Sequence, residues 1–246
     1  MKKTLKHLYK KVSHRYPRIG FIIQKFYQRK LFNNIKRKIH GSNNTIHYHN
    51  SILSSVTFDI KGSDNKIKIM DDCVLNNVTF YVRGNCHQIV ISNRCRFNHG
   101  GNIWLEDDHC FLSIGEGSTF EDVHLALTEP HSAITIGRDC MFAYDIDVRT
   151  GDSHSIISQD NNERINYAKN VTIGNHVWVA AHSVLLKGSA IADNSVVATC
   201  SIVTKEFNGE GIIIGGNPAK LLKQGITWSR KRIDKVVSGN DIHMQM

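Results

Sequence analysis

The sequence has no long apolar run and very little proline. Polar or charged side chains interrupt every window of the ~18 residues that a bilayer span needs, which excludes a membrane-spanning helix. Only 3 of the 246 residues are proline, which argues against a proline-rich linker or a disordered tract. Hydrophobic residues make up 41% of the chain and charged residues 22%, and these are the usual proportions of a globular protein.

Two further absences bear on metal sites and on the cellular compartment. The six cysteines include no Cys-x-x-Cys pair, so we expect neither a zinc ribbon nor a thioredoxin-like motif and predict no metal site. The amino terminus lacks the apolar core and the small-residue cleavage site of a secretory signal. Together these features predict a cytoplasmic protein with reduced thiols.

Acidic residues are missing from the first part of the chain. Residues 1–39 hold 13 of the 31 lysines and arginines, and the first carboxylate is that of Asp59. The remaining residues carry 18 basic and 22 acidic side chains, a net charge of −4. The chain is therefore a mildly acidic body with a strongly basic arm.

Apolar residues recur at helical spacing within the basic segment, so residues 1–39 are predicted to form a basic helical arm. One function for such an arm is attachment to an anionic membrane surface, here the inner face of the membrane, or to an acidic polymer. The alternative is a packing element whose lysines and arginines are simply solvated. Nucleic-acid binding is not expected, because no aromatic-basic motif of an RNA or DNA module occurs elsewhere.

A repeat dominates residues 40–214. The segments Gly41–Ile46, Gly62–Ile67 and Gly84–Ile89 are aligned copies, and further on an apolar residue recurs every six positions: Ile173, Val179, Leu185, Ile191, Val197 and Val203. A six-residue unit of strand and turn forms one flat face, three faces close a triangular coil of ~18 residues, and coils stack at the ~4.8 Å spacing of paired strands. The repeat therefore predicts an all-β solenoid, a parallel β-helix.

The fifth position of each unit is occupied by a small or thin side chain. Cys73, Cys95 and Cys140 stand at this position. We interpret them as compact fillers inside the column rather than as redox or metal-binding groups.

The hexapeptide run from Ile173 to Lys205, with the later Gly-Gly-Asn-Pro-Ala-Lys at Gly215–Lys220, resembles the left-handed parallel β-helix acyltransferases. Within that family it is similar to the O-acetyltransferases that act on sugars, including capsular and other surface polysaccharides. The resemblance covers roughly residues 60–228. It implies a left-handed helix, a CoA-proximal turn with a short helical tail over residues 215–246, and a homotrimer with its site between adjacent prisms. It also implies direct transfer of acetyl from acetyl-CoA to a saccharide hydroxyl.

One coil carries a long excursion, predicted at about residues 149–170, because Ile136 and Ile173 are 37 residues apart. Long excursions in regular stacks are usually functional. The family places its general base, a histidine, at the start of this excursion, and His154 is the matching residue. A neutral imidazole with a pKa near ~6.5 suits the removal of a hydroxyl proton, and Asp152 is a candidate to hold the other ring nitrogen.

The resemblance also assigns the donor site. It implies a tryptophan near the thioester, main-chain groups of small residues along the pantetheine arm, and a Thr-Lys pair with further lysines at the phosphates, where lysine acts as a mobile point charge. The matching residues are Trp178, Ala181, Thr199, Thr204, Lys205, Lys220 and Lys223.

Acceptor contacts are predicted less sharply. His99, Trp104 and Arg164 are polar or aromatic candidates in the less regular coils. Two other functions stay open at this point. One is a zinc hydratase of the γ-carbonic-anhydrase kind, although no three histidines have a suitable spacing, and the other is a non-catalytic β-helix scaffold anchored by the basic arm.

Overall fold

The computed structural model describes residues 34–234, most of which form a parallel β-helix of eight coils. Three strands make up each coil, so that β1, β2 and β3 form coil 1 and β22, β23 and β24 form coil 8. In chain order the strands are β1 (Lys36–His40), β2 (Thr45–Tyr48), β3 (Ile52–Ser54), β4 (Thr57–Lys61), β5 (Lys66–Ile69), β6 (Val74–Asn76), β7 (Val78–Arg83), β8 (Gln88–Ile91), β9 (Arg96–Phe97), β10 (Gly101–Leu105), β11 (Phe111–Ile114), β12 (Thr119–Phe120), β13 (Val123–Leu127), β14 (Ala133–Ile136), β15 (Met141–Phe142), β16 (Ile146–Arg149), β17 (Val171–Ile173), β18 (Trp178–Val179), β19 (Val184–Leu185), β20 (Ala190–Ile191), β21 (Val196–Val197), β22 (Ile202–Val203), β23 (Glu206–Phe207), β24 (Ile213–Gly215) and β25 (Lys220–Lys223).

Three parallel sheets form the faces of the prism. The first strands of the coils make sheet A, the second strands sheet B and the third strands sheet C. β25 joins the end of sheet C by antiparallel pairing with β24. We call the turn from sheet A to sheet B the A–B corner, and the other two turns the B–C and C–A corners.

The register confirms the repeat. One column of sheet B pairs Ile69 with Ile91 and continues in order through Ile114, Ile136, Ile173 and Ile191. Every member of this column is at most 2% exposed. Full burial of such a side chain stabilises the fold by about 1.5–3 kcal/mol, so the column holds the coils in a single register.

The cysteines at the fifth position are fillers, as predicted. Cys73, Cys95 and Cys140 are completely buried beside the B–C corner. Burial raises the pKa of the Cys140 thiol to about 11, so this thiol stays protonated near neutral pH. Ser118 takes the same position in coil 4, where its hydroxyl donates to the Gly137 carbonyl at 2.9 Å.

The predicted boundary of the arm at residue 39 is wrong. Residues 36–40 form β1, which pairs with β4 in register from Lys36–Thr57 to His40–Lys61. The repeat begins one strand earlier than its glycine copies indicate, because β1 precedes the first of those copies. The rest of the predicted helical arm lies outside the described residues.

The described part of the predicted helical tail is not helical either. β25 forms a hairpin with β24, and residues 224–234 contain only turns and irregular backbone. Residues 235–246 lie outside the described range. No helix of the length and hydrophobicity needed to cross a bilayer occurs in residues 34–234.

Candidate active site

The excursion of coil 6 leaves sheet A after β16 and rejoins sheet B at β17, so it stands on the A–B corner. At its base the Lys169 amide donates to the Thr150 carbonyl at 2.9 Å. Arg164 forms an ion pair with Glu129 of the same corner in coil 5. Contacts to the neighbouring coils therefore hold the excursion against the prism.

His154 lies on this excursion with a fixed backbone and an exposed side chain. Its amide donates to the Asp152 carbonyl at 2.8 Å, across a tight turn in which Ser153 has a φ of 63°. Its carbonyl accepts from the Asn166 side chain at 2.7 Å. No group within residues 34–234 forms a hydrogen bond with the His154 ring, which leaves both ring nitrogens available.

Asp152 does not orient the His154 ring, contrary to the prediction. Its Oδ2 accepts from the Lys187 ammonium and from Asn166 Nδ2, the latter at 2.8 Å. Burial acts to raise the pKa of Asp152, but the hydrogen bonds from Lys187 and Asn166 outweigh it and lower the pKa below its ordinary value. The carboxylate is thus an ionised anchor between the excursion and the A–B corner of coil 7.

Asn166 is the residue that the sequence reasoning missed. It is only 6% exposed, and its Oδ1 accepts from the Ile156 amide at 2.7 Å and from Arg164 Nε at 3.2 Å. Together with its two donated bonds, this side chain joins both limbs of the excursion around His154. Its position near the end of the excursion was the only sequence signal available.

The donor residues Ala181 and Thr199 occupy successive C–A corners. Thr199 Oγ1 donates to the Ala181 carbonyl at 2.8 Å, and the Cys200 amide donates to the same oxygen at 3.0 Å. The Ala181 amide donates to no described residue. The corner therefore offers a substrate the N–H group of Ala181 rather than its carbonyl.

The residues predicted to contact the donor phosphates lie around the last coil. Thr204 and Lys205 lie at the A–B corner of coil 8, where the Lys205 ammonium is 5.5 Å from the centroid of the Phe207 ring. Lys220 and Lys223 lie on β25, the end strand of sheet C. All four side chains are exposed, and the three lysines form no ion pair with a described residue.

Trp178 faces outward from sheet C, beside Met141 and Val196 in register. His154 stands at the A–B corner, which is the corner opposite sheet C in a triangular coil. One chain therefore places the base and the tryptophan on opposite sides of the prism and does not bring them together.

A segment that the sequence analysis did not single out covers Trp178. Residues 224–234, which we call the C-terminal clasp, run back from coil 8 over the B–C corner. Trp228 of the clasp stacks on His176 and lies 6.1 Å from Trp178, measured between ring centroids. Arg230 donates to Asp139 at 2.9 Å, and to a threonine hydroxyl and a backbone carbonyl in coils 4 and 5.

A groove on sheet A is lined by two of the three residues predicted to contact the acceptor. His99 and Trp104 line a cavity of about 590 Å³ along the C–A corner, whereas Arg164 is engaged with Glu129 on the excursion. No group of three or more potential metal ligands converges in residues 34–234.

Known proteins share this architecture. No protein-family model matches the sequence. The chain is 35% identical over 192 residues to the polysialic acid O-acetyltransferase of Neisseria meningitidis, covering 78% of this chain and 88% of that protein. The crystal structure of the polysialic acid O-acetyltransferase OatWY superposes with a TM-score of 0.76 at 28% identity, covering 85% of this chain and 97% of that one. The polySia-specific acetyltransferase NeuO superposes with a TM-score of 0.74 at 27% identity, with coverages of 85% and 94%.

These likenesses define the class as the hexapeptide-repeat acyltransferases with a left-handed parallel β-helix, which confirms the resemblance seen in the sequence. Within that class, the chain belongs to the family of the polysialic acid O-acetyltransferases, and it is an O-acetyltransferase. Because the chain belongs to this family, an O-acetyltransferase replaces the two alternative functions, a zinc hydratase and a non-catalytic scaffold.

Proposed function

We propose that this enzyme transfers the acetyl group of acetyl-CoA to a hydroxyl of a saccharide, namely a surface or capsular polysaccharide or its precursor. The proposal rests on how the structure holds the backbone of His154 and exposes its ring. Its backbone is fixed by Asn166 and its ring is exposed and unbonded within residues 34–234. A relative that covers most of the chain acts on polysialic acid, as its name states.

In the proposed reaction, the neutral His154 ring takes the proton of the acceptor hydroxyl as its oxygen attacks the thioester carbonyl carbon. The carbon–sulfur bond then breaks, and the proton passes to the departing thiolate of CoA. The Ala181 amide, which has no described partner, suits stabilisation of the oxyanion. Acetyl passes directly to the acceptor, with no acyl-enzyme.

The donor fits the C-terminal end of the prism. CoA carries several phosphate charges, and Lys205, Lys220 and Lys223 are exposed, cationic and without an ion-pair partner among the described residues. Charge-assisted contacts of lysine with phosphate are strong compared with neutral hydrogen bonds. The acyl end of the donor would then lie toward Trp178 and Ala181, one to two coils below.

We further propose a homotrimer in which His154 of one subunit meets the donor site of the next. The opposite placement of His154 and Trp178 supports this arrangement. The excursion also exposes apolar side chains, with Ile156 55%, Ile165 63% and Tyr167 60% exposed. Clustered exposed apolar residues mark interaction surfaces, and a three-fold ring closes a heterologous contact.

A subunit-mixing experiment tests the shared site. His154→Ala and Trp178→Ala variants are each expected to be inactive, and a refolded mixture should regain activity because some interfaces receive both native residues. A light-scattering mass near three times the 27.8 kDa chain should accompany this. Activity in mixtures no higher than in the separate variants would contradict a site built across the interface.

Acceptor identity is tested with a panel of purified neutral and anionic surface polysaccharides. Thiol release from acetyl-CoA and the acetyl content of the polymer are measured together. We expect both to rise with one or more polysaccharides and neither to rise with His154→Ala. Acetyl-CoA cleavage that leaves every polymer unmodified would overturn the proposal.

We also propose a cytoplasmic location, with peripheral contact at the inner face of the membrane. The 13 basic residues of residues 1–39 support it, since each basic side chain near an anionic surface contributes about 1 kcal/mol. Such contact would hold the enzyme where lipid-linked polysaccharides are assembled.

A further inference from the structure

The groove on sheet A has a polar floor. Successive outward positions of β10, β13 and β16 place Asn102, His124 and Asp147 in one row. His124 Nδ1 lies 3.3 Å from Asp147 Oδ1. Arg149 donates to the other carboxylate oxygen at 2.6 Å. The floor is therefore a fixed row of amide, imidazole and carboxylate groups across coils 4 to 6.

Asp147 is ionised in this row. Burial acts to raise the pKa of Asp147, but the contacts with His124 and Arg149 outweigh it, and the pKa lies below its ordinary value. Asn102 Oδ1 and His124 Nε2 are buried without a hydrogen-bond partner among the described residues. Unpaired polar groups at the floor of a cavity cost stability, so they point to a role other than packing.

One wall of the groove is aromatic. Trp104 and Tyr81 stack with ring centroids 3.8 Å apart and an interplanar angle of 22°. The Arg83 guanidinium lies 3.7 Å from the centroid of the Tyr81 ring, and Asp59 holds Arg83 at 2.8 Å. Support from coils 2 and 3 thus fixes the two rings as a platform beside the polar row.

We propose that this groove binds a segment of the saccharide acceptor, an inference that rests on the proposed function. Sugar rings present C–H faces, which pack on aromatic side chains, and hydroxyls, which pair with amide and carboxylate groups. The wall formed by Tyr81 and Trp104 and the floor formed by Asn102, His124 and Asp147 supply both kinds of contact. A volume of about 590 Å³ accommodates more than one sugar unit.

The position of the groove agrees with this role. The donor would extend from the lysines of coil 8 down to Ala181 at the C–A corner that leads into β19, so the acceptor must approach from the other side. The groove lies on that side, along the C–A corner of coils 3 to 6. Asp145 at its upper end holds His182, the neighbour of Ala181, at 2.9 Å. Groove and donor corner are therefore continuous.

The charge of the groove narrows the acceptor class. Its lining includes the carboxylates of Asp122, Asp145 and Asp147 and no lysine or arginine. Arg149, beside the lining, pairs with Asp147, whereas Asp122 and Asp145 have no lysine or arginine partner among the described residues. A polymer with a carboxylate on every unit would meet like charge here, whereas uncharged sugar units would find acceptors for their hydroxyls. The bound segment consists of uncharged units, which distinguishes this groove from one built for polysialic acid.

Trp104→Ala tests the platform. The polysaccharide of the panel with the highest kcat/KM serves as the acceptor. We expect the KM for this polysaccharide to be about tenfold or more higher in Trp104→Ala than in the wild-type enzyme. The KM for acetyl-CoA should stay within about twofold. Phe111→Ala, which removes an outward aromatic side chain from sheet B, is the matched control and should leave both constants unchanged. An unchanged acceptor KM in a folded Trp104→Ala protein would overturn the proposal.

Asp122→Lys tests the charge. The wild-type enzyme should prefer a neutral polysaccharide to polysialic acid, and the variant should shift the ratio of kcat/KM values toward polysialic acid. Asp71→Lys carries the same charge change on the B–C corner and should not shift the ratio. A wild-type preference for polysialic acid, or equal shifts in the two variants, would overturn the assignment of an uncharged segment.

A binding measurement separates this proposal from the proposed function. Calorimetric titration with the panel polysaccharides needs no acetyl-CoA, no turnover and no tryptophan signal. Binding of a neutral polysaccharide that Trp104→Ala abolishes and Phe111→Ala retains supports the groove even where no acetyl is transferred. Transfer without any effect of Trp104→Ala on binding would reject the groove and leave the acetyltransferase intact.

Discussion

Trp228 and His176 stack with ring centroids 4.1 Å apart and an interplanar angle of 8°, although 52 residues separate them. Trp228 Nε1 donates to the His176 carbonyl at 2.7 Å, and the Trp228 carbonyl lies 3.0 Å from His176 Nε2. Asp139 faces the other ring nitrogen of His176 at 2.7 Å. The contact therefore fastens the C-terminal clasp to coils 5 and 6, against Trp178.

Trp228→Ala should loosen this clasp. Loss of the stack and of the indole hydrogen bond is expected to lower the free energy of unfolding by about 1–3 kcal/mol. Because Trp228 packs against Trp178, the KM for acetyl-CoA should rise while the acceptor KM stays constant. Trp228→Phe keeps a stacking ring and should restore most of the donor affinity. Equal donor KM values in all three proteins would show that the clasp does not position Trp178.

The core of the fold was predictable because its signals are local and periodic. The column from Ile69 to Ile191 and the fillers Cys73, Cys95 and Cys140 follow directly from spacing in the sequence. β1 was not predictable, since Lys36–His40 reads as part of a charged segment and becomes a strand only through pairing with β4.

The site was predictable only in part, because long-range contacts shape it. The position of His154 on the excursion follows from the 37-residue step between paired isoleucines. The partner of Asp152 does not, because Lys187 is 35 residues away and reaches it from the next coil. Asn166 likewise gains its role only when the two limbs of the excursion meet.

His154→Ala is expected to lower kcat by roughly 10²–10⁴, the range associated with loss of a general base. Folding and CoA binding should be nearly unchanged, because the His154 side chain forms no hydrogen bond with a described residue. Steady-state kinetics, calorimetric titration with CoA and a thermal melt make the comparison. His131→Ala, an exposed histidine at the A–B corner of coil 5, is the control. Near-normal turnover in His154→Ala would remove it from the mechanism.

Asn166→Ala should act on kcat through His154. The substitution removes the bond to the His154 carbonyl and three other bonds within the excursion. We expect a lower kcat with an unchanged KM for acetyl-CoA, and a partial return of activity in Asn166→Gln, which retains the carbonyl and the amino group of the side-chain amide. A fall in thermal stability with kcat intact would assign Asn166 a purely structural role.

Lys205→Ala and Lys220→Ala should each weaken binding of the donor acetyl-CoA and leave binding of the acceptor unaffected. Loss of one charge-assisted contact with phosphate costs about 1.5–3 kcal/mol, which corresponds to a KM for acetyl-CoA raised roughly 10–100-fold. The kcat at saturating donor should be nearly unchanged. Lys68→Ala, on the outer face of sheet B in coil 2, is the charge-matched control. A change confined to the acceptor KM would mean that the donor site has been misplaced.

His87 should make the fold sensitive to acid. It is 1% exposed, its Nδ1 accepts from the Cys110 amide at 3.1 Å, and its Nε2 donates to the Arg83 carbonyl at 2.9 Å. Burial lowers the pKa of His87 below its ordinary value, so the unfolded chain binds the proton more readily. Its stabilising contribution is complete above the unfolded value of about 6.5 and declines as the pH falls from there toward the folded pKa.

Chemical unfolding at about pH 8 and about pH 5 checks this dependence on His87. At the higher pH, His87→Gln should have a lower free energy of unfolding than the wild-type protein. Between the higher and the lower pH it should lose less stability than the wild type, because glutamine does not titrate. His131→Ala, which changes an exposed histidine, should retain the wild-type dependence. Parallel pH profiles for wild type and His87→Gln would show that other groups control the acid sensitivity.

The basic amino-terminal segment is expected to control where the enzyme binds rather than its chemistry. Deletion should stop at residue 33, since β1 begins at Lys36 and forms the edge of sheet A. Full-length protein should bind anionic vesicles in a salt-sensitive manner and neutral vesicles weakly, because surface charge attraction is screened within about 10 Å at 0.1 M salt. The truncated protein should lose this binding and keep its kcat on a soluble acceptor.

The competing role of the segment is to cap the end of the β-helix. All of β1 is exposed in the described residues, and an uncovered edge strand promotes aggregation. Aggregation of the truncated protein, with no vesicle binding by the intact one, would establish capping instead.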